Sequence, residues 1–241
     1  MAGDPDMAKA LEYALALEEG GADLLELGVP FSDPVADGPT IQEASVRALT
    51  AGTTPQRVLE LCYKLRKRSN IPLVLMTYYN PIFAMGEEEF IKASHQAGAD
   101  GLIVPDLPLE EAARLIETAR TYRVDTIFMA TPETDTLRVE QIAAVTTGFL
   151  YLVARYGTTG SRRAIEDATL GLIGRTRPLV SRDLPLAAGF GLSNPEQIKA
   201  VIEAGADGAI VGSAIVERIA SGISSGALTH FIRELKHGTR I

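Results

Sequence analysis

The chain has 241 residues, a net charge of -8 and no tryptophan, with 46% hydrophobic, 22% charged and 6% aromatic residues. Such values describe a globular protein with one large core, and they argue against a nucleic-acid partner, whose phosphates want a basic face and whose bases want aromatic platforms. No run reaches the roughly 20 apolar residues of a membrane span, no basic-then-apolar leader opens the chain, and the single cysteine, Cys62, has no intrachain partner, so a cytoplasmic protein is predicted.

The chain opens on a helical pattern. Asp4 is placed to cap it, Pro5 to take the first helical position, and Met7, Ala10, Leu11, Ala14 and Leu17 fall on one apolar face. The pattern runs into EEGGADLLELG (18–28), which is repeated in kind by HQAGADGLIVPD (95–106) and IEAGADGAIVGS (202–213). In each, a helix stops at glycine, crosses a Gly-Ala-Asp turn and enters a short apolar run suited to a strand buried on both faces. Further strands are predicted at 72–78, 125–130, 149–154 and 185–190, with helices between them; Thr54–Pro55 and Asn194–Pro195 repeat the cap-then-proline start. Cys62 lies in one of these helical patterns, RVLELCYKL, and reads as a small buried hydrophobe. Seven strands and about eight helices in strict alternation predict a parallel α/β fold, a (β/α)8 TIM barrel, in one domain over residues 1–241. Because the chain opens on a helix, the barrel's first strand is expected to be missing through truncation or a mis-set start.

The first strand carries an unexpected carboxylate. In a strand Leu24 and Glu26 point one way and Leu25 and Leu27 the other, so Glu26 faces either the helices or the barrel interior. Against the helices it would be desolvated without purpose; inside, near the strand's C-terminal end, it stands where barrel enzymes place their chemistry. Burial raises a carboxylate's pKa, as a general acid requires. Asp37 follows in a loop stiffened by Pro30, Pro34 and Pro39, which suggests a held position over the barrel mouth. Asp33, in the same loop, reads equally as a turn residue. All six lysines fall in helical patterns, which disfavours a Schiff-base mechanism, and His95, His230 and His237 lack zinc-ligand spacing. Carboxylate acid–base chemistry remains, with no metal and no cofactor expected.

Glycine-bearing loops follow the last three strands: YGTTGSR (156–162), GFGLSNP (189–195) and VGSAI (211–215). Glycine lets backbone N–H groups approach an anion, and barrels of this class bind phosphate after strands seven and eight. Gly191, Gly212 and Ser213 are the leading candidates, with Thr159 and Gly160 closing from the sixth loop. That loop, Arg155 to about Asp167, reads equally as a mobile lid or as a passive surface loop.

The motifs LELGVPFSDPVADGPTIQ, YYNPI, GLIVPDLPLEE, GTTGSR, AGFGLSNPEQ and GADGAIVGSAIV resemble, in order and spacing, the tryptophan synthase alpha subunit family. The resemblance implies a (β/α)8 barrel that cleaves indole-3-glycerol phosphate to indole and glyceraldehyde 3-phosphate. It also implies a heterotetramer of alpha2-beta2 type with a pyridoxal-phosphate-dependent beta subunit. By it, Glu26 is the acid–base glutamate, Asp37 contacts the indole N–H, and Tyr78 and Tyr151 line the indole pocket. Thr159 and Gly160 belong to the lid, while Gly189, Phe190, Gly191, Gly212 and Ser213 form the phosphate side. Asp33, Pro34, Asn80 and Asp106 match positions near the beta-subunit face or the path toward it. Family members also carry a helix and a strand ahead of AGDPD, the strand supplying an aromatic pocket residue. Two rivals stand beside this expectation: another phosphate-binding barrel of indole or histidine biosynthesis, and an incomplete barrel serving only as a partner for the beta subunit.

Overall fold

A computed structural model describes residues 1–153, 162–189 and 191–240, the side chains of 162–167 excepted. It divides into two compact units, Met1–Thr126 with Val216–Ile232, and Ile127–Ile215 with Arg233–Ile241. In the first unit the elements run α1 (Met7–Glu19), β1 (Leu25–Gly28), α2 (Pro39–Thr50), α3 (Pro55–Arg66) and β2 (Leu73–Met76). They continue with α4 (Tyr79–Met85), α5 (Glu87–Ala97), β3 (Gly101–Ile103), α6 (Ala113–Tyr122) and β4 (Asp125–Ile127). The four strands form one sheet in chain order, with β1, β2 and β3 parallel and Glu26 paired to Val74. Leu73, Val74, Leu75, Leu102 and Ile103 are all at most 2% exposed, the double-sided burial expected of strands under helices.

From there the chain runs through β5 (Met129–Ala130), α7 (Thr136–Val145), β6 (Leu150–Val153), α8 (Arg162–Thr176) and β7 (Leu186–Gly189). It ends with α9 (Pro195–Glu203), β8 (Gly208–Ala209), α10 (Ser213–Ala220) and α11 (Ser225–Lys236). Strands β5 to β8 make a second parallel sheet, again in chain order. The strand predicted at 125–130 is interrupted at Phe128. Asp125 hydrogen-bonds the main chain at Asp100, whereas the Phe128 carbonyl and Met129 face Tyr151, so the two halves serve different ladders. Among the described residues no helix is long and apolar enough to cross a membrane.

The Gly-Ala-Asp repeat has a physical origin. Gly98 ends α5 at φ +89°, and a Cβ there would meet the Arg66 side chain at 2.7 Å, so only glycine suits the position. Two residues on, the Asp100 carboxylate accepts the Leu73 N–H at the start of β2 (2.8 Å) and the Arg66 guanidinium (2.6 Å). Asp207 does the same for β7: it accepts the Leu186 N–H (2.8 Å) and Arg177 (2.8 Å), whose guanidinium also donates to the Val180 and Ser181 carbonyls. Each aspartate thus satisfies the opening amide of the preceding strand and a cation delivered by the preceding helical segment. Arg177 is only 8% exposed, so removing its partner strands a buried charge. Asp207→Ala is expected to lower unfolding free energy by about 2–3 kcal/mol. A denaturant midpoint unchanged from the parent would remove the clamp assignment.

The start of the chain differs from expectation. The α1 cap is Asp6, whose carboxylate accepts the Ala8 and Lys9 amides at 2.9 Å. Asp4, only 3% exposed, instead makes a two-pronged ion pair with Arg47 of α2, both bonds 2.8 Å. A bidentate guanidinium–carboxylate pair outcompetes a cap made to neutral amides. The caps at Thr54 and Asn194 form as predicted, onto the Arg57 and Gln197 amides. Cys62 is fully buried in α3, and burial pushes its thiol up to about 12, the signature of an inert packing residue.

Candidate active site

The first unit carries the carboxylates. Along β1, Leu25 and Leu27 are buried while Glu26 and Gly28 keep some exposure, the alternation the strand dictates. Glu26 is half-buried, yet protein surrounds it closely. Burial raises its carboxyl to about 7, against the pull of the Met1 amino group and with the push of the Asp37 charge. Such a group is protonated or ionised with nearly equal ease near neutral pH, which is what a residue that both gives and takes a proton needs.

The loop after β1 is pinned at three points. The Val29 amide extends the ladder to the Met76 carbonyl at 2.8 Å, the Ala36 amide donates to the Tyr78 hydroxyl at 2.9 Å, and Gln42 of α2 donates to the Asp37 carbonyl at 2.8 Å. Phe31 lays its ring against Tyr78, centroids 5.5 Å apart. Asp37 is half-buried; burial raises its carboxyl, while a hydrogen bond from the Tyr78 hydroxyl and the Met1 amino group pull it down. The prolines limit the loop's freedom, but these three bonds set where Asp37 stands. The interaction of Glu26 and Asp37 brings the two predicted carboxylates into one electrostatic environment.

The second unit carries glycine turns. Tyr151 lies in β6 between Met129 and Ala187. Gly189 closes β7, and a Cβ there would meet the Tyr151 hydroxyl at 3.0 Å and Ile210 at 3.1 Å, so this glycine lets the tyrosine pack over the strand end. Gly191 takes φ +77° just beyond. Gly212 is different: among the described residues a Cβ there would meet nothing within 4 Å, so packing does not demand glycine at this position, just before α10 begins at Ser213. The first amides of a helix suit an anion. Thr159, Gly160 and Phe190, together with most of the predicted lid, lie outside the described residues.

The family model of the tryptophan synthase alpha chain matches residues 1–236. The chain is 46% identical to the tryptophan synthase alpha chain of Prochlorococcus marinus (strain MIT 9313), over 98% of this chain and 86% of that one. It is 50% identical to that of Geobacter sp. (strain M21), over 90% and 80%. The chain belongs to the tryptophan synthase alpha chain family. Among solved structures it superposes on the Pyrococcus furiosus alpha subunit with a TM-score of 0.91 at 40% identity, covering 98% of this chain and 94% of that one. It matches a chain of the P. furiosus tryptophan synthase complex with a TM-score of 0.89 at 38% identity, with the same coverages. The fold class is therefore the α/β TIM barrel class that strand–helix alternation predicts.

Tryptophan synthase alpha chains are indole-3-glycerol-phosphate lyases of tryptophan biosynthesis, and this chain is an enzyme of that class. Within it, Asp33 is exposed on the loop after β1, and Asn80 is exposed in the first turn of α4, just after β2. Asp106, after β3, accepts the Tyr79 amide at 2.8 Å and so ties the third loop to the second. Sequence reading missed that tie and the Ala36–Tyr78 bond; both join residues remote in the chain, and no local pattern announces them. The Asp100 and Asp207 clamps did leave a signal, the repeated Gly-Ala-Asp.

Proposed function

We propose that the enzyme cleaves indole-3-glycerol phosphate through Glu26 and Asp37, with no covalent intermediate. Protonated Glu26 delivers its proton to indole C3, which dearomatises the ring and leaves positive charge at N1; the Asp37 carboxylate stabilises that charge. Glu26, now ionised, accepts the proton of the C3' hydroxyl as the C3–C3' bond breaks. The bonding electrons return to the ring, and indole and glyceraldehyde 3-phosphate leave. Tyr78 and Tyr151 supply aromatic surface for the indole. Gly189, Gly191, Gly212 and Ser213, with Thr159, Gly160 and Phe190, hold the phosphate tail, and this remote binding helps align the reacting bonds.

The observation that carries the reading is Glu26 within β1, its carboxyl raised to about 7 by burial and by the charge of Asp37. Its sign is testable. A raised pKa keeps Glu26 protonated, and so competent as the acid, up to neutrality; above about 7 it ionises. Indole release per enzyme, as kcat/KM, is expected to fall as pH rises through that value. A rate flat from pH 5 to 9 would exclude Glu26 as the acid.

The reading takes residues 1–241 as one catalytic domain in the cytoplasm, working in an alpha2-beta2 complex with a tryptophan synthase beta subunit. Supporting the partner are Val35, 82% exposed, and Phe83, 71% exposed, on the segments after β1 and β2 that also carry Asp33, Pro34 and Asn80. Large apolar side chains at that exposure suit a protein interface.

A further inference from the structure

The Tyr78 hydroxyl contacts both the backbone and the carboxylate of the catalytic loop. It accepts the Ala36 amide at 2.9 Å and donates to Asp37. The tyrosine itself is 5% exposed, with its ring against Phe31. The backbone on either side is tied to the third strand and its loop, through the Thr77 amide on the Ile103 carbonyl (3.0 Å) and the Tyr79 amide on Asp106 (2.8 Å). A side chain held this firmly is a post rather than a mobile pocket wall.

We propose that Tyr78 is a positioning residue that holds the Asp37 carboxylate, ionised and oriented, for the developing charge at indole N1. The inference rests on the role given to Asp37 above. Its physical basis is preorganisation: a carboxylate fixed before substrate arrives needs no reorientation in the transition state. The donated hydrogen bond also favours the charged form of Asp37 against the burial that disfavours it. The other charged groups acting on this pair are Glu26 from β1, the Met1 amino group and, toward Tyr78, Asp106.

The test is a double-mutant cycle on indole release with Tyr78→Phe and Asp37→Asn. Phenylalanine keeps the ring and removes only the hydroxyl, and Ala36 is exposed, so its amide can turn to water. Tyr78→Phe is expected to lower kcat about 10-fold with KM little changed. In the Asp37→Asn background it should cost almost nothing further, because a residue acting through Asp37 has nothing left to position. The acid limb of the pH profile should also move to higher pH, since Asp37 loses the bond that favours its ionised form. An equal loss in both backgrounds would overturn the proposal and make Tyr78 an independent substrate contact. A fully active Tyr78→Phe would overturn it as well, and so would one that does not fold, since a hydroxyl serving only Asp37 is dispensable to the fold. If Asp37→Asn alone is fully active, the failure belongs to the role of Asp37 instead.

Discussion

Glu26→Gln is expected to reduce indole release by at least about 10³-fold while leaving the affinity for a non-cleavable indole–phosphate analogue largely intact. Glutamine matches the glutamate in shape and in hydrogen-bonding reach, so the pocket is kept; what disappears is the proton. Removing a group used as acid and then as base raises the barrier by roughly 4 kcal/mol or more. The same change should make the protein more stable at alkaline pH. The folded-state pKa is raised above the unfolded one, from the ordinary 4.5 to about 7. Below both values the carboxyl is neutral in either state and costs nothing. Between them only the unfolded chain ionises, so stability declines with rising pH and levels off above about 7. Glutamine escapes that decline, and at pH 8 the variant should be more stable by roughly 2–3 kcal/mol, allowing for the solvent contact of a half-buried group. Tight analogue binding, lost turnover and a raised midpoint at pH 8 but not at pH 4 form one signature. Loss of binding with chemistry preserved would refute the assignment.

Asp37→Asn should cost on the order of 10² in kcat, because a neutral amide offers the N1 charge much less than a carboxylate does. The substitution keeps an acceptor for the Tyr78 hydroxyl, so the loop stays seated and the loss reports charge rather than collapse. A second consequence is specific to the pairing. The Asp37 charge pushes the Glu26 carboxyl up, so without it Glu26 ionises at lower pH and the alkaline limb of the rate profile shifts downward. A variant slowed to the same degree with that limb unmoved would mean that the two carboxylates act independently.

Much of this was readable in the chain. Alternation in LLELG placed Glu26 opposite Leu25 and Leu27, and the strand shows that pattern. The caps at Thr54 and Asn194 were legible because a cap is a contact over three residues. Asp4 misled for the complementary reason: Asp6 competes locally, and Arg47, 43 residues away, claims Asp4. The strand expected at 125–130 is interrupted at Phe128, with Asp125 bonded to Asp100 and Met129 paired with Tyr151, partners that an apolar run does not encode.

Local chemistry alone therefore determined the repeated helix–turn–strand unit, the parallel α/β class and the presence of a carboxylate on the face of β1 opposite Leu25 and Leu27. These depend on backbone propensity and on period, which act between near neighbours. Only tertiary structure decided that a tyrosine after the second strand seats Asp37, and that the Gly-Ala-Asp aspartates close the start of the preceding strand. It also raised an ordinary glutamate to about 7. The reason is common to all three: desolvation and hydrogen bonding depend on which distant groups the fold brings within a few ångströms, and a linear chain does not carry those distances.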